Sequence, residues 1–251
     1  MRILSLKASF NAVLFDSQQL TQLNGHKKAV TGIGLPTGSN KLYSGSRDGT
    51  VRVWDCESGQ CVKIINNGAE IGCLICEGSW IFIGLPNTVK AWRVNAVNGD
   101  CDGPIVLDGP IGQVNALVVY NDLLFAGSED GVITVWKESF EANPFKQVAA
   151  IKAHSGSVLS LAVGIQKRRL LFSSSADGAI RVWNLEDLEC VQTLCGGHSD
   201  AVMSLLFWDE YLFSCSLDKT IKIWWSANQD GRFEAVYTRG TMWCCVTFWD
   251  A

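Results

Sequence analysis

The chain has 251 residues, 47% of them hydrophobic and 18% charged, with a formal net charge of -4. That is ample apolar material for one large domain or two ordinary ones. The mild acidity argues against a surface built to neutralise many phosphates, and no run of about 18 apolar residues is available to span a bilayer.

In chain order, residues 1–17 carry no recurring pattern and are read as a segment of uncertain structure. Lys7 and Asn11 interrupt the first apolar run, so it does not resemble a secretory signal. The ten cysteines are irregularly spaced, which fits free, mostly buried thiols in an intracellular, reducing compartment, nucleus or cytoplasm. Gln18 to Leu23 reads as a short strand leading into Gly25-His26. The first full unit follows. Residues 29–34 read as an inner strand, 35–41 as a hairpin turn, and Leu42 to Ser46 as a second strand. Arg47-Asp48-Gly49 turns the chain, and Val51 and Val53 then alternate with Arg52 and Trp54. Gln60 to Ile65 reads as the outer strand.

The pattern LYSGSRDGTVRVWD (Leu42 to Asp55) returns at Phe125 to Lys137, Phe172 to Asn184 and Phe213 to Trp225. A worn copy runs from Phe82 to Val94, without the turn aspartate. The recurring tryptophans are Trp54, Trp92, Trp136, Trp183 and Trp224, spaced by 38, 44, 47 and 41 residues. Four strands at a period near 40–45 residues are the pattern of propeller blades, whose apolar faces can be buried only against neighbours. The predicted fold is therefore all-β, with five recognisable four-stranded blades over residues 18–240. Arg232 to Thr238 reads as the last outer strand, and 241–251 as the start of a further blade or a tail.

Three units hold the same residue types at matching offsets: His26, Ser44, Asp48 and Trp54; His154, Ser173, Asp177 and Trp183; His198, Ser214, Asp218 and Trp224. Aspartate precedes tryptophan by six residues and follows serine by four in each. A His, a Ser and an Asp invite a catalytic reading. Catalysis needs one such set in a cleft, whereas this one repeats, so the expectation is three structural hydrogen-bond tetrads and no enzyme. The carboxylate would accept from imidazole and the turn backbone, the other ring nitrogen would meet Ser, and Ser would meet the indole N–H.

At these residues the chain resembles the WD40 repeat family. Gly25 to Asp55 looks like the first repeat of the plant proteins that join CCCH zinc fingers to a WD40 propeller, and Gly78 to Trp92 is similar to their degenerate second blade. The resemblance covers roughly Leu20 to Thr238. It implies an incomplete ring, cut from seven blades, because the fingers upstream and the final blades have no counterpart here; the alternative is a compact, closed five-bladed ring. In that arrangement Gln18 to Leu23 would pair with the far end of the chain to close the ring. The resemblance also implies a non-catalytic scaffold for protein or peptide partners. The residue before each turn aspartate projects at the rim of the narrow face, which gives Arg47, Glu129, Ala176 and Leu217 as the candidate partner face. The alternative it implies is a nucleic-acid-associated factor working through fingers that this chain lacks.

Other signals are weaker. Cys73 and Cys76 lie three apart on a predicted strand and face opposite sides, and Cys244-Cys245 has the same problem, so no metal or other cofactor is expected. Lys167-Arg168-Arg169 and Lys27-Lys28 read as solvated turns, without interleaved aromatics to stack on bases.

Overall fold

In a computed structural model, the structure describes residues 22–94, 103–139, 144–165, 168–194, 196–226 and 232–240. All regular structure among them is β, and no helix is long and apolar enough to cross a membrane. The first sheet is an antiparallel meander of β1 (Val30–Gly34), β2 (Lys41–Ser46), β3 (Thr50–Asp55) and β4 (Cys61–Asn66). The second has six strands: β5 (Cys73–Glu77), β6 (Trp80–Arg93), β7 (Ile105–Tyr120), β8 (Leu123–Ser128), β9 (Val132–Glu138) and β10 (Phe145–Lys152). The third contains β11 (Val158–Ile165), β12 (Arg169–Ser175), β13 (Ile180–Asn184) and β14 (Cys190–Leu194). The last contains β15 (Val202–Trp208), β16 (Tyr211–Ser216), β17 (Thr220–Trp225) and β18 (Glu234–Gly240).

The sequence pattern predicts five sheets of four strands where the structure has four sheets. The difference arises at the worn unit. Elsewhere a turn such as Arg47-Asp48-Gly49 separates the second and third strands. Here Pro86-Asn87 is one residue shorter, and Asn87 takes φ 62° in place of the glycine. β6 therefore runs unbroken through the turn and doubles back, with Val94 N–H bonded to Ser79 C=O at 2.8 Å. β7 pairs with β6 along its first part and with β8 along its second. Pro86 opposite Gln113, and Gly112 N–H bonded to Asn87 Oδ1 at 2.8 Å, weld the two parts together.

Register repeats from sheet to sheet. Trp54, Trp136, Trp183 and Trp224 stand opposite Leu42, Leu124, Leu171 and Leu212. The inner strands lie side by side in chain order, β1 by β5, β5 by β7, β7 by β11 and β11 by β15, as in a β-propeller. β15 and β1 do not adjoin in this way among the described residues. Glycines permit the close approach: a methyl group on Gly32 would lie 2.4 Å from the Leu74 carbonyl oxygen, and one on Gly72 2.2 Å from that of Val114.

The core is divided into clusters between successive units. Tyr43, Val51 and Val53 pack on Ile71, Leu74, Ile81 and Ile83. Phe82 and Val89 pack on Leu117, Leu124 and Trp136. Phe125, Ile133 and Val135 meet Val158, Leu161 and Leu171, and Phe172, Ile180 and Val182 meet Val202, Leu205 and Leu212. Each sheet hides its apolar sides against the next, because none is thick enough to have an interior of its own.

At the margins, Gln22 and Leu23 are not in a strand, and the rest of the Gln18 to Leu23 segment lies outside the described residues, as do 1–17 and 241–251. The outer strand expected from Arg232 is β18, paired with β17. Cys73 and Cys76 point opposite ways on β5: the Cys73 thiol donates to Val114 C=O at 3.6 Å, while Cys76 packs beside Gly34. Burial pushes the Cys73 thiol up to about 12. Among the described residues no three His, Cys, Asp or Glu side chains converge as a metal site, and Cys244-Cys245 lies outside them. Arg168 and Arg169 are exposed at the start of β12, and Lys167 lies outside the described residues.

Candidate functional site

In each of three sheets, the loop entering the inner strand brings a histidine beneath the turn between the second and third strands. His26 Nδ1 lies 3.0 Å from Asp48 Oδ2, and its Nε2 lies 2.7 Å from Ser44 Oγ. Trp54 donates its indole N–H to the same hydroxyl at 2.8 Å. His154 stands 3.1 Å from Asp177 and 2.8 Å from Ser173, which accepts from Trp183 at 2.9 Å. His198 stands 2.8 Å from Asp218 and 2.7 Å from Ser214, which accepts from Trp224 at 2.8 Å. The only continuous donor order runs from indole N–H to Ser oxygen, from Ser O–H to Nε2, and from Nδ1–H to carboxylate.

The carboxylates collect more donors than the sequence reading named. The backbone N–H of Lys27, Ser155 or Ser199, next after each histidine, reaches Asp48, Asp177 or Asp218. Thr50 and Thr220 donate their hydroxyls to Asp48 and Asp218 at 2.6 Å, and Ala179 holds that place in the other set. The signal was a threonine two residues after the aspartate, legible in two units of three. Each aspartate N–H in turn donates to a buried serine, Ser46, Ser175 or Ser216, at 3.1 Å.

Burial works against ionising Asp218, but the hydrogen bonds from Thr220, His198 and the backbone of Ser199 and Thr220 outweigh it and hold the carboxyl down to about 2. Asp48 and Asp177 are likewise lowered, against the same burial penalty, by hydrogen bonds from their turns and histidines. Burial dominates for His154 and His198 and lowers both, although Asp177 and Asp218 pull the other way. A neutral imidazole facing a carboxylate agrees with the donor order above. Ser44, Ser173 and Ser214 are buried, and each oxygen is already engaged by an indole and an imidazole, so none is open to a substrate.

The third unit keeps Asp130 but has no such set. Its Asp130 accepts from Ser128 Oγ at 2.7 Å and from Val132 N–H at 3.1 Å. Pro110 occupies the histidine place and Ala126 the serine place, both buried. Both polar partners are absent together, so neither is left stranded in an apolar setting.

Arg47, Glu129, Ala176 and Leu217 are exposed and occupy equivalent places. Their backbone N–H groups bond to Ala29, Gln113, Ser157 and Ala201 C=O at 2.9–3.0 Å, each at the entry to an inner strand. All four therefore stand at the same end of the strands. Glu129 also accepts from Gln113 N–H at 3.1 Å, and Lys28 and Glu70 form an exposed ion pair at that end.

The WD domain, G-beta repeat matches residues 17–55, and the IP5P C-F beta-propeller matches residues 96–212. Zinc finger CCCH domain-containing protein 17 of Oryza sativa subsp. japonica is 52% identical over 184 residues, covering 73% of this chain and 40% of that protein. Zinc finger CCCH domain-containing protein 62 of Arabidopsis thaliana is 48% identical over 177 residues, covering 70% and 41%. Nuclear distribution protein nudF of Emericella nidulans is 29% identical over 240 residues, covering 86% and 44%. The chain thus spans less than half the length of these relatives. Repeats, register and relatives agree on a β-propeller that carries a WD40 repeat at residues 17–55.

Proposed function

We propose that the protein is a non-catalytic interaction scaffold, working inside the cell, whose partner is a protein or peptide held on the face carrying Arg47, Glu129, Ala176 and Leu217. The observation that carries this reading is the fourfold equivalence of those positions. The same backbone bond fixes each beside the aspartate of its turn, while the side chains presented differ: a cation, an anion, a methyl group and an isobutyl group. A rigid frame with variable tips suits recognition. The His, Ser and Asp sets serve as structural tetrads that hold the turns in place. In this reading the six-stranded sheet is two welded blades, making five units in an incomplete ring of a seven-bladed type.

Selection of random displayed peptides on the purified protein tests the reading. Enriched peptides should lose binding to the Arg47→Ala, Leu217→Asp double variant and keep it with Lys63→Ala on the outer strand β4. Peptides indifferent to the double variant, or none at all, would overturn it. The names of the zinc-finger relatives favour a second reading, association with nucleic acid. The net charge of -4 speaks against this chain supplying the contacts. Retention of labelled RNA at low salt would support that second reading, and its absence there would remove it.

A further inference from the structure

We infer that a second site lies at the opposite end of the strands: a cleft that takes the arginine side chain of a basic partner polypeptide. The inference rests on reading the chain as an interaction scaffold, but it concerns a different face. The cleft, of about 300 Å3, opens between the hairpin turn at residues 77–80 and the one at 121–124, with Glu138 and Phe145 behind. It lies where the two halves of the six-stranded sheet meet.

Its wall is the half-buried indole of Trp80. The ring stacks on Phe82 at 6.1 Å and meets Phe145 edge-on at 5.1 Å. Its N–H donates to Glu138 Oε1 at 3.2 Å, across from the neighbouring half. These contacts fix the indole in orientation. The residue facing the one after the repeat tryptophan is Lys41, Leu123, Leu170 or Tyr211 elsewhere, so only this unit offers an indole there.

The charge is one-sided. Glu77, Asp122 and Glu138 line the cleft, against Arg93 alone. Lys137 pairs with Asp122 at 3.2 Å, which still leaves three acids against two cations. A flat aromatic wall flanked by carboxylates matches a guanidinium, which stacks on indole and bonds carboxylate with its fork of N–H groups. The protein already displays half of this geometry. The exposed Arg93 places its guanidinium 5.9 Å from the Trp80 ring centre. A partner's arginine would exchange with Arg93, which swings into solvent, and would be met by Glu138, Glu77 and Asp122. Arg93 is thus a placeholder that competes with the ligand.

The test uses the whole chain labelled with 15N-tryptophan, and a nine-residue Gly/Ser peptide bearing one central arginine. The same peptide with citrulline, the neutral isostere, is the control. The Trp80 indole resonance, identified by its loss in Trp80→Phe, should shift saturably with the arginine peptide and not with citrulline. Glu138→Gln, which keeps an oxygen to accept the indole N–H, should weaken binding about tenfold, close to 1.4 kcal/mol. If that variant fails to fold, the exposed Asp122→Asn carries the same expectation with a smaller loss. Arg93→Ala should tighten binding severalfold by removing the competitor. Equal response to both peptides, an unmoved Trp80 resonance at millimolar peptide, or weaker binding by Arg93→Ala would each overturn the inference. Any of those results would leave the peptide selection on the other face untouched.

Discussion

Asp177 accepts from the His154 imidazole, from the backbone N–H of Ser155 and Ala179, and from the Ser155 hydroxyl. Removing the carboxylate strands the imidazole N–H in a buried setting and frees two turn amides that water can partly reach. Asp177→Ala should therefore cost about 2–3 kcal/mol, and Asp177→Asn, which keeps one acceptor oxygen, about half of that. Chemical denaturation of the three proteins measures the difference, and coincident curves would refute the structural role. The same groups set the response to acid. His154 and His198 are held below their ordinary value, so the unfolded chain binds protons there first. Stability should be full above about pH 6.5, the unperturbed imidazole value, and decline as pH falls toward the lower folded values. Asp48, Asp177 and Asp218 are depressed in the folded chain, so their contribution is present above about pH 4 and lost as pH falls through the folded values. Both effects have the same sign. A melting temperature unchanged between pH 7 and pH 5 would mean that the imidazoles are not buried and neutral.

At the scale of the strand, what limits approach between units is backbone against backbone. Gly32 on β1 meets both the N and the O of Leu74 on β5, at 2.6 and 2.4 Å from where a β-carbon would stand. Neither atom can rotate away, so Gly32→Ala must push the sheets apart and should cost about 2 kcal/mol or more. Gly38, with φ 77° and nothing within 4 Å, provides the control: alanine there is strained only in its own dihedral, at roughly 1–2 kcal/mol. If Gly38→Ala proves the worse of the two in thermal melts, inter-sheet crowding is not the controlling contact. The repeat pattern made the tetrads and most strands legible, because His26, Ser44, Asp48 and Trp54 recur as residue types at constant offsets. The weld at Pro86-Asn87 was not legible. Deleting one turn residue changes which backbone groups pair, and no residue type signals that. Lys219 at φ 67° was equally hidden, since it fills a place where Gly49 and Gly178 serve elsewhere. The cleft beside Trp80 escaped for a different reason: its residues come from two units and share no local pattern.

Across the whole molecule, burial is uneven in a way that single units do not reveal. Phe213, Ile221 and Ile223 of the last sheet are only half-buried. Their counterparts one sheet earlier, Phe172, Ile180 and Val182, are at most 1% exposed because β15 and β16 cover them. Beside them Leu206 and Trp208 on β15 are 53% and 67% exposed, and on the first sheet Ile33 is 67% exposed. Contiguous apolar surface of this kind, with free strand edges nearby, drives association in water. The protein should therefore show a weight-average mass that rises with concentration in sedimentation. The double variant Leu206→Lys, Trp208→Lys should suppress that rise. Val62→Lys on β4, about as exposed as Leu206 but on an outer strand of the first sheet, should leave it unchanged. Equal suppression by Val62→Lys would assign the effect to net charge, and a constant monomer mass for the parent protein would show that the flank is covered in solution.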